Sequence, residues 1–381
     1  MSEPVLAVED LSVDYRIGAG SFHALQGVSF ELAPQRVLGI VGETGCGKST
    51  LAASIPRLLP EPPAHILSGT IRFQGTDLLK VPRWKMPQVR GTGIGMIFQE
   101  PINSLNPAYR VYDQIVEAVV IRRRREELGS SARIVPPTPF DYSRRPSPEV
   151  SSVLTSAITP HVPDTVKRRV RGRTSKELKD EVVKFLEMVR ITDPETILDL
   201  YPHELSGGMR QRIMIAMALS ERPSLLIADE PTSALDVTIQ AQVLSLMKDL
   251  MHEVQTSILF ISHDLGVIAE MADDVGVMYA GHLVELGPVE SIFQRPRHPY
   301  TVALLRASPD HYKDDGPLAS IPGAVPNLSR LPTGCPFHPR CALARPVCAE
   351  PPSPPLAPTD EGQEAGDHRS ACLFWNEVTP P

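Results

Sequence analysis

The feature that most constrains the fold is a glycine-rich loop between an apolar strand and a helix. "RVLGIV" (residues 36–41) has the unbroken apolar character of a buried strand, "GETGCGKST" follows at 42–50, and "TLAASIPRLL" continues as a helix. The loop fits G-x-x-x-x-G-K-[ST], whose glycines let backbone N–H groups wrap a phosphate while the lysine reaches the β- and γ-phosphates. A glycine-rich turn can also be purely structural, but the Lys48–Ser49 pair favours a nucleotide site.

A second segment supplies acids for the same chemistry. In "LLIADEP" four apolar residues place Asp229 at the carboxyl end of a buried strand, where open α/β sheets present their ligands. Asp229 can hold Mg²⁺ through water, and Glu230 is the candidate to polarise the attacking water. Two acids at a strand end are otherwise a routine solvated feature, but a complete phosphate loop in the same chain favours the catalytic interpretation.

Two more polar residues are predicted at the same sheet edge. Gln99 is expected to end the strand "IGMIFQ" (94–99), and His263 to end the strand "LFISH". A glutamine there can contact Mg²⁺ and the attacking water, and a histidine can hydrogen-bond a γ-phosphate. Each residue alone would be unremarkable, so the prediction depends on their shared position.

A further anion site is predicted at "HELSGGMRQR" (203–212). Ser206, Gly207 and Gly208 precede a long apolar run, so they should begin a helix whose bare N–H groups and dipole favour negative charge. One chain therefore carries two candidate phosphate sites.

Taken in order, these motifs resemble those of an ABC-type ATPase over about residues 5–290. The quoted motifs are the loop at 42–50, Gln99, "LSGGMRQR" at 205–212, "LLIADE" at 225–230, "SALD" at 233–236 and His263. The resemblance implies an α/β fold: a P-loop NTPase cassette with a mainly parallel sheet core, an N-terminal antiparallel β subdomain and a helical subdomain. It also implies a head-to-tail dimer, in which the Ser206–Gly208 site serves the ATP held by the partner.

The resemblance implies roles for individual residues, with ATP and Mg²⁺ as cofactors. The ATP-binding residues are Tyr15, in the family's adenine-stacking position, and Gly42, Glu43, Thr44, Gly45, Cys46, Gly47, Lys48, Ser49 and Thr50. The catalytic residues are Lys48, Gln99, Glu230 and His263, and the Mg²⁺ ligands are Ser49, Gln99 and Asp229.

A narrower resemblance links the chain to the ATPase subunits of oligopeptide/dipeptide importers, whose relatives also carry nickel. It is carried by "MIFQEPINSLNP", "RPRHPYTVALL", "SIPGAVPNL" and "GCPFHPRC". It implies an ATP hydrolase that energises peptide import, on the cytoplasmic face of the membrane as a peripheral subunit. The implied partners are a second, distinct ATPase subunit, two transmembrane permease subunits and an extracytoplasmic solute-binding protein. An importer of nickel or another small solute is the alternative.

Functions outside transport are less well supported. Members of the superfamily that repair DNA carry a long coiled coil between the phosphate loop and this signature, and the interval before "LSGGMRQR" has no heptad pattern, so a soluble ATPase acting on DNA is disfavoured. Members that act on ribosomes carry two cassettes in one chain, and this chain has one. An iron–sulfur regulatory protein is disfavoured by the complete set of hydrolytic residues. A net charge of −7 argues against general nucleic-acid binding. The lack of a bilayer-length apolar run and of a signal pattern in "MSEPVLAVED" predicts a cytosolic chain.

Composition divides the chain. We expect residues 1–300 to form the cassette, with the helical subdomain at 105–222, and residues 301–381 to form a Cys/Pro-rich C-terminal extension. Residues 122–176 hold 13 Lys and Arg against 5 Asp and Glu and include a Pro/Ser-rich stretch. This pattern predicts a loosely structured basic insertion at about 127–175, unusual for the resembled family. Its basic clusters suit solvated helix ends, with an anionic lipid or partner surface as the alternative.

Cysteines complete the chemistry. Cys335, Cys341, Cys348 and Cys372 lack the close C-x2–4-C pairs typical of structural zinc. A [4Fe–4S] cluster suits four thiolates, and the resembled family includes members with one at this motif. Zinc and a metal-free tail remain alternatives. Lying after the cassette, these cysteines are expected to stay away from Lys48 and Glu230. Cys46, at a helix N-terminus, is expected to have a lowered thiol pKa.

Overall fold

The computed structural model describes residues 3–18, 20–91, 93–99, 105–127, 175–233, 235–308, 320–359 and 368–381. They form two compact units. Unit 1 comprises Met1–Pro82, Ser224–Pro231 and Gln255–Pro381, and unit 2 comprises Arg83–Pro223 and Thr232–Val254. The predicted basic insertion at about 127–175 falls almost wholly on residues 128–174, which lie outside the described residues.

Strands and helices follow the order that the apolar segments predict. In chain order the strands are β1 (Leu6–Ile17), β2 (Gly20–Leu32), β3 (Val37–Val41), β4 (Ala64–Phe73), β5 (Thr76–Asp77), β6 (Ile94–Ile97), β7 (Leu225–Asp229), β8 (Ser257–Ile261), β9 (Asp274–Tyr279), β10 (His282–Pro288), β11 (Ala357–Pro358) and β12 (Arg369–Ser370). The α-helices are α1 (Lys48–Ser54), α2 (Val111–Glu127), α3 (Ser175–Met188), α4 (Pro194–Ile197), α5 (Gly207–Leu219), α6 (Val237–Val254), α7 (Leu265–Met271), α8 (Val289–Gln294) and α9 (Pro299–Arg306). Strand β6 and helices α2 to α6 belong to unit 2, and the other elements belong to unit 1.

The mainly parallel sheet of unit 1 leads into the phosphate loop. Its strands lie in the order β11-β12-β10-β9-β3-β8-β7, and β9, β3, β8 and β7 pair in parallel. Every residue of β3, β7 and β8 is buried, as expected for parallel strands that are covered on both faces. Because parallel strands end at the same edge of a sheet, the segments that follow β3, β7 and β8 all lie at one edge.

An antiparallel sheet forms the N-terminal part of unit 1. Its strands lie in the order β2-β1-β4-β5, and Leu6 of β1 pairs with Leu32 on one side and Phe73 on the other. Leu6, Leu11 and Val13 of the central strand are fully buried. The predicted N-terminal antiparallel subdomain and mainly parallel core are therefore both present.

Strands β9 and β10 form a hairpin around Ala280 and Gly281. Strands β9 and β10 are antiparallel, with Tyr279 opposite His282. The two turn residues have φ values of 47° and 83°, as a two-residue hairpin turn with positive φ at both positions requires.

Strand β6 ends earlier than predicted. It stops at Ile97, and Gln99 lies two residues beyond it instead of ending it. Phe98 is 47% exposed, so the buried part of "IGMIFQ" ends before the phenylalanine. Apolar pattern alone placed this boundary wrongly, because an exposed and a buried phenylalanine look the same in a sequence.

Helices make up most of the described part of unit 2, which contains α2, α3, the short helix α4, α5 and α6. Ser206 caps α5, since its Oγ accepts a hydrogen bond from the N–H of Met209 at 3.3 Å. No helix within the described ranges is long and apolar enough to cross a bilayer.

Residues 320–381 are here called the C-terminal segment, and its described parts, 320–359 and 368–381, have little regular structure. They contain short 3₁₀ turns, such as His338–Arg340, and the strands β11 and β12. Strand β12 pairs with β10, where Ser370 lies opposite the fully buried Glu285. Glu285 accepts hydrogen bonds from the N–H of His298 (3.0 Å) and from Nε2 of His368 (2.7 Å). The bond from His368 and the pairing of β12 with β10 attach the segment to the unit 1 sheet.

Candidate functional site

The phosphate loop lies between β3 and α1, and main-chain atoms of two other segments pack closely against it. A Cβ atom on Gly42 would lie 2.2 Å from the carbonyl oxygen of Met278, and one on Gly47 would lie 2.5 Å from that of Ala24. Gly47 also has a φ of 107°. Only glycine fits these two positions, which explains the spacing of the motif in physical terms.

Lys48 lies against the loop it belongs to. Its Nζ donates to the carbonyl oxygens of Gly42 (2.7 Å) and Glu43 (3.2 Å), and the residue is only 6% exposed. A buried ammonium group is held by charge-assisted hydrogen bonds and so points in one direction. Its charge is therefore concentrated at the loop, where a bound phosphate would lie.

Ser49 and Asp229 come together although they are far apart in sequence. Ser49 Oγ donates to Asp229 Oδ1 at 3.3 Å, and Asp229 is the last residue of β7. Burial raises the pKa of the Asp229 carboxyl, an effect opposed by the bond from Ser49 and increased by the charge of Glu230. Two oxygen ligands close together next to a phosphate loop fit the preference of Mg²⁺ for oxygen.

Glu230 and His263 also meet at this edge. Nδ1 of His263 lies 3.2 Å from Oε2 of Glu230, and the N–H of Glu230 donates to the carbonyl oxygen of Ile261 at 2.9 Å. The Glu230 side chain is 14% exposed and that of His263 is 57% exposed. An acid and a histidine in contact, both at the edge where the loop begins, can orient and polarise a water.

Tyr15 lies beside the first helix. Its hydroxyl is 3.5 Å from Thr50 Oγ1, and the side chain is half-buried. The ring is therefore near the end of the phosphate loop, and its role beside adenine stays a prediction.

The remaining predicted residues belong to unit 2. Gln99 is exposed in a bend after β6, and Ser206 is exposed as the cap of α5. A Cβ atom on Gly208 would lie 2.8 Å from Cγ2 of Ile239 on helix α6, so this glycine permits close helix packing as well as an open N-terminus. Sequence reasoning missed this packing role.

The expectation of a lowered thiol pKa at Cys46 is wrong. Cys46 is fully buried, and burial raises its pKa more than the charge of Lys48 lowers it. Its Sγ lies 3.7 Å from Lys48 Nζ, and the side chain has no exposed surface. Desolvation disfavours the thiolate at this position.

The C-terminal segment reaches the phosphate loop through a residue that the sequence analysis did not single out. Arg340 forms an ion pair with Glu43, with Nη1 to Oε2 at 2.8 Å and Nη2 to Oε1 at 3.2 Å. Tyr300 approaches the same residue, since its hydroxyl accepts a hydrogen bond from the N–H of Glu43 at 2.9 Å. No sequence pattern indicates these contacts, because both join residues that are far apart in the chain; Arg340 and Glu43 are 297 positions apart.

The four predicted cysteine ligands line one pocket, together with Phe337. Burial raises the pKa of Cys335 to about 11 and that of Cys372 to about 12, and it also raises the pKa of Cys341. Within the described parts of the chain, no three His, Cys, Asp or Glu side chains are grouped closely enough to hold a single metal ion. The thiols share a pocket but do not surround one point.

Comparison with known proteins gives these elements a family. The ABC transporter family profile matches residues 25–233, more than half of the chain, and the profile for the C-terminal region of oligopeptide/dipeptide transporters matches residues 284–348. A probable peptide ABC transporter ATP-binding protein of Sinorhizobium fredii is 42% identical, with 98% of this chain and 96% of that protein covered. The oligopeptide transport ATP-binding protein OppD of Bacillus subtilis is also 42% identical, with 89% of this chain and 82% of that protein covered.

A solved structure agrees at the level of fold. A dimeric ATP-binding cassette in a post-hydrolysis state, bound to ADP and Pi, has a TM-score of 0.54 at 19% identity and covers 74% of this chain and 98% of its own. The predicted P-loop cassette fold is thus confirmed. The family profiles and the relatives go further: this chain belongs to the ABC transporter family of ATP-binding proteins, in the group that carries the oligopeptide/dipeptide transporter C-terminal region.

Proposed function

We propose that this chain is the ATP-hydrolysing subunit of a membrane importer for peptides. One observation carries the proposal: the phosphate loop with Lys48, the Ser49–Asp229 pair and the Glu230–His263 pair all lie at one edge of a parallel sheet. Phosphoryl transfer needs a cation on the phosphates, oxygen ligands for Mg²⁺ and a group that positions water. The peptide cargo is supported by the relatives, which are named as peptide and oligopeptide transport proteins.

Each residue has one task in this proposal. The N–H groups of residues 42–50 and the Lys48 ammonium bind the phosphates, and Tyr15 stacks on adenine. Ser49, Asp229 and Gln99 hold Mg²⁺, which neutralises charge on the phosphates. Glu230 orients the attacking water and polarises its O–H bond, while His263 holds Glu230 on one side and hydrogen-bonds the γ-phosphate on the other.

A second chain completes the site. Ser206, Gly207 and Gly208 present free N–H groups and the positive end of helix α5, a suitable surface for the γ-phosphate of the ATP that the partner's loop holds. The partner is a second, distinct ATPase subunit. The two cassettes work with two transmembrane permease subunits and an extracytoplasmic solute-binding protein, so this chain is peripheral on the cytoplasmic face of the membrane.

The domain organisation follows from the same proposal. Residues 1–300 act as the cassette and residues 301–381 as the C-terminal extension that oligopeptide/dipeptide transporters carry. The helical subdomain at about 105–222 is part of that cassette. The basic insertion at about 127–175 falls within these bounds.

A [4Fe–4S] cluster fits the four-cysteine pocket better than zinc does. Zinc requires four sulfurs around one point, each about 2.3 Å from the ion. The described residues provide no such group, although all four thiols line one pocket. A four-iron cluster is larger than an ion, so its ligands lie farther apart. Cys335, Cys341, Cys348 and Cys372 would hold it as thiolates, and bound iron supplies the positive charge that buried thiolates need.

Purification from membranes tests the assembly. A tagged chain extracted with mild detergent from its host should bring with it two polytopic membrane proteins and a homologous ATPase. ATP hydrolysis by this complex in lipid vesicles should rise when the solute-binding protein is loaded with peptide. Recovery of the chain alone, or with ribosomes or DNA, would contradict the proposal, and stimulation by Ni²⁺ but not by peptide would identify the alternative cargo.

A further inference from the structure

Glu43 places a negative charge inside a loop whose task is to bind an anion. It is the second residue of the loop, and its side chain is 25% exposed. In water such a charge would repel a triphosphate, and near a low-dielectric interior the repulsion is larger. The loop therefore needs something that neutralises Glu43 or turns it away from the nucleotide.

Arg340 does both. Its guanidinium is nearly buried, with 5% of the side chain exposed, and it meets both carboxylate oxygens of Glu43 at 2.8 and 3.2 Å. Two parallel N–H···O bonds fix the direction of the carboxylate as well as its charge. A lysine would supply the charge without the paired geometry.

The guanidinium itself is held firmly by the protein. It donates to the carbonyl oxygens of Pro322 (2.9 Å) and Ile321 (3.3 Å) and to the hydroxyl of Tyr279 (3.2 Å). Phe337, three residues before Arg340, packs its ring against Tyr279 and Tyr300, with centroids 5.2 and 5.3 Å apart. Arg340 is therefore a rigid extension of the C-terminal segment and not a loose surface side chain.

The main chain of Glu43 is held as well. Its N–H donates to Tyr300 Oη at 2.9 Å, and its carbonyl oxygen accepts from Lys48 Nζ and from the N–H of Cys46, each at 3.2 Å. Movement of Glu43 would therefore disturb Lys48. Glu43 is therefore the residue of the loop that contacts Arg340, Tyr300 and Lys48.

We propose that Arg340 is a positioning residue for the phosphate loop, and that nucleotide affinity depends on it because it neutralises and orients Glu43. The C-terminal segment then serves the cassette directly: the loop binds ATP well only while the segment is docked. This inference rests on the proposed ATP-binding function of the loop. It also links the four-cysteine pocket to the loop, since Arg340 directly precedes Cys341 and Phe337 lines the pocket.

The test compares MgATP affinity among full-length variants by calorimetry. Wild type must bind MgATP; if it does not, the proposed function fails and the inference fails with it. Arg340→Ala should weaken binding about tenfold or more, since a charge-assisted pair is lost and Glu43 is left unpaired. Arg345→Ala is the matched control, because Arg345 pairs with Glu377 inside the same segment and its exposed pair should change affinity less than about twofold.

The double variant Glu43→Gln/Arg340→Ala separates positioning from general damage. If Arg340 acts by neutralising Glu43, removing the carboxylate should recover most of the lost affinity, and low salt should enlarge the difference between the single and double variants. Equal loss in both variants, or wild-type affinity in folded Arg340→Ala protein, would overturn the inference. Should Arg340→Ala not fold, Arg340→Lys carries the test: it keeps the charge but not the paired bonds, so a partial loss is expected and unchanged affinity overturns the proposal.

Discussion

Nδ1 of His263 lies 3.2 Å from Oε2 of Glu230, at the carboxyl ends of the adjacent parallel strands β8 and β7. The bond from the N–H of Glu230 to the carbonyl oxygen of Ile261 joins the same two segments. Glu230 has a φ of 47°, a conformation that non-glycine residues rarely adopt unless their surroundings impose it. Its carboxylate is thus fixed in place, as a group that orients water needs to be.

Glu230→Gln should abolish turnover while keeping ATP binding. The amide fills the same space but cannot accept a proton, so the loss should be on the order of 10²–10⁴-fold in the assembled complex. ATP should then hold the two cassettes together, which size-exclusion chromatography with and without ATP would detect. Lys48→Ala is the contrasting variant, since it should weaken nucleotide binding itself. Turnover at the parent rate in Glu230→Gln would remove Glu230 from the mechanism.

The second candidate phosphate site predicts dependence on a partner. Ser206→Arg, which crowds the free end of α5, should leave MgATP binding to the isolated chain unchanged within about twofold, because that site faces the partner's nucleotide. Hydrolysis by the complex should fall strongly. The isolated chain should hydrolyse slowly, with specific activity that rises with concentration or on adding the second ATPase subunit. A specific activity that depends neither on protein concentration nor on the second ATPase subunit would contradict the dimer.

Burial of Cys46 makes a prediction opposite to the one from sequence. Because its pKa is raised, little thiolate exists at neutral pH, and the thiol is fully buried. Alkylation of Cys46 in the native chain at pH 7 should therefore be much slower than in the unfolded chain, and it should accelerate only at strongly alkaline pH. Peptide mapping by mass spectrometry after timed alkylation would measure this. Native and unfolded rates that agree at pH 7 would contradict it.

The parts of the site that follow from local pattern could be predicted, and the parts that follow from long-range packing could not. An apolar strand followed by a glycine loop identifies Lys48, and a second apolar strand that ends in acids identifies Asp229. The two residues were expected to lie close together because strand ends in parallel sheets share an edge. The burial of Cys46 was missed because a helix N-terminus suggests exposure, and the main chain of Met278 that closes on the loop is distant in sequence. Arg340 was missed for the same reason, since its ion pair with Glu43 depends on how the C-terminal segment packs.

The burial of His298 predicts that the folded chain loses stability in acid. Burial lowers its pKa from 6.5 to about 3, and its Nδ1 accepts a hydrogen bond from the N–H of Tyr300 at 3.1 Å, so the folded chain requires the neutral ring. A depressed pKa gives stability that is present above about pH 6.5 and is lost as the pH falls towards 3. The melting temperature of nucleotide-free protein should therefore drop between pH 7 and about pH 4.5.

His298→Asn should reduce this drop, because asparagine can still cap helix α9 but does not titrate. The matched control is His252→Asn, which changes an exposed histidine and should retain the wild-type pH dependence. A drop of equal size in His298→Asn and wild type would assign the acid sensitivity to other groups.

The four-cysteine pocket makes the last prediction. Protein prepared without oxygen, with iron supplied, should be brown and contain about four irons per chain. Cys372→Ser should lose the iron, and Cys46→Ser should keep it, because Cys46 lies in the phosphate loop and not in the pocket.

Without the cluster the Pro-rich segment loses a cross-link, so hydrogen exchange in residues 320–381 should increase. Since Arg340 belongs to that segment, MgATP affinity should also fall in Cys372→Ser. Zinc in place of iron would replace the cluster with a different metal site, and protein without bound metal would leave these thiols as packing residues.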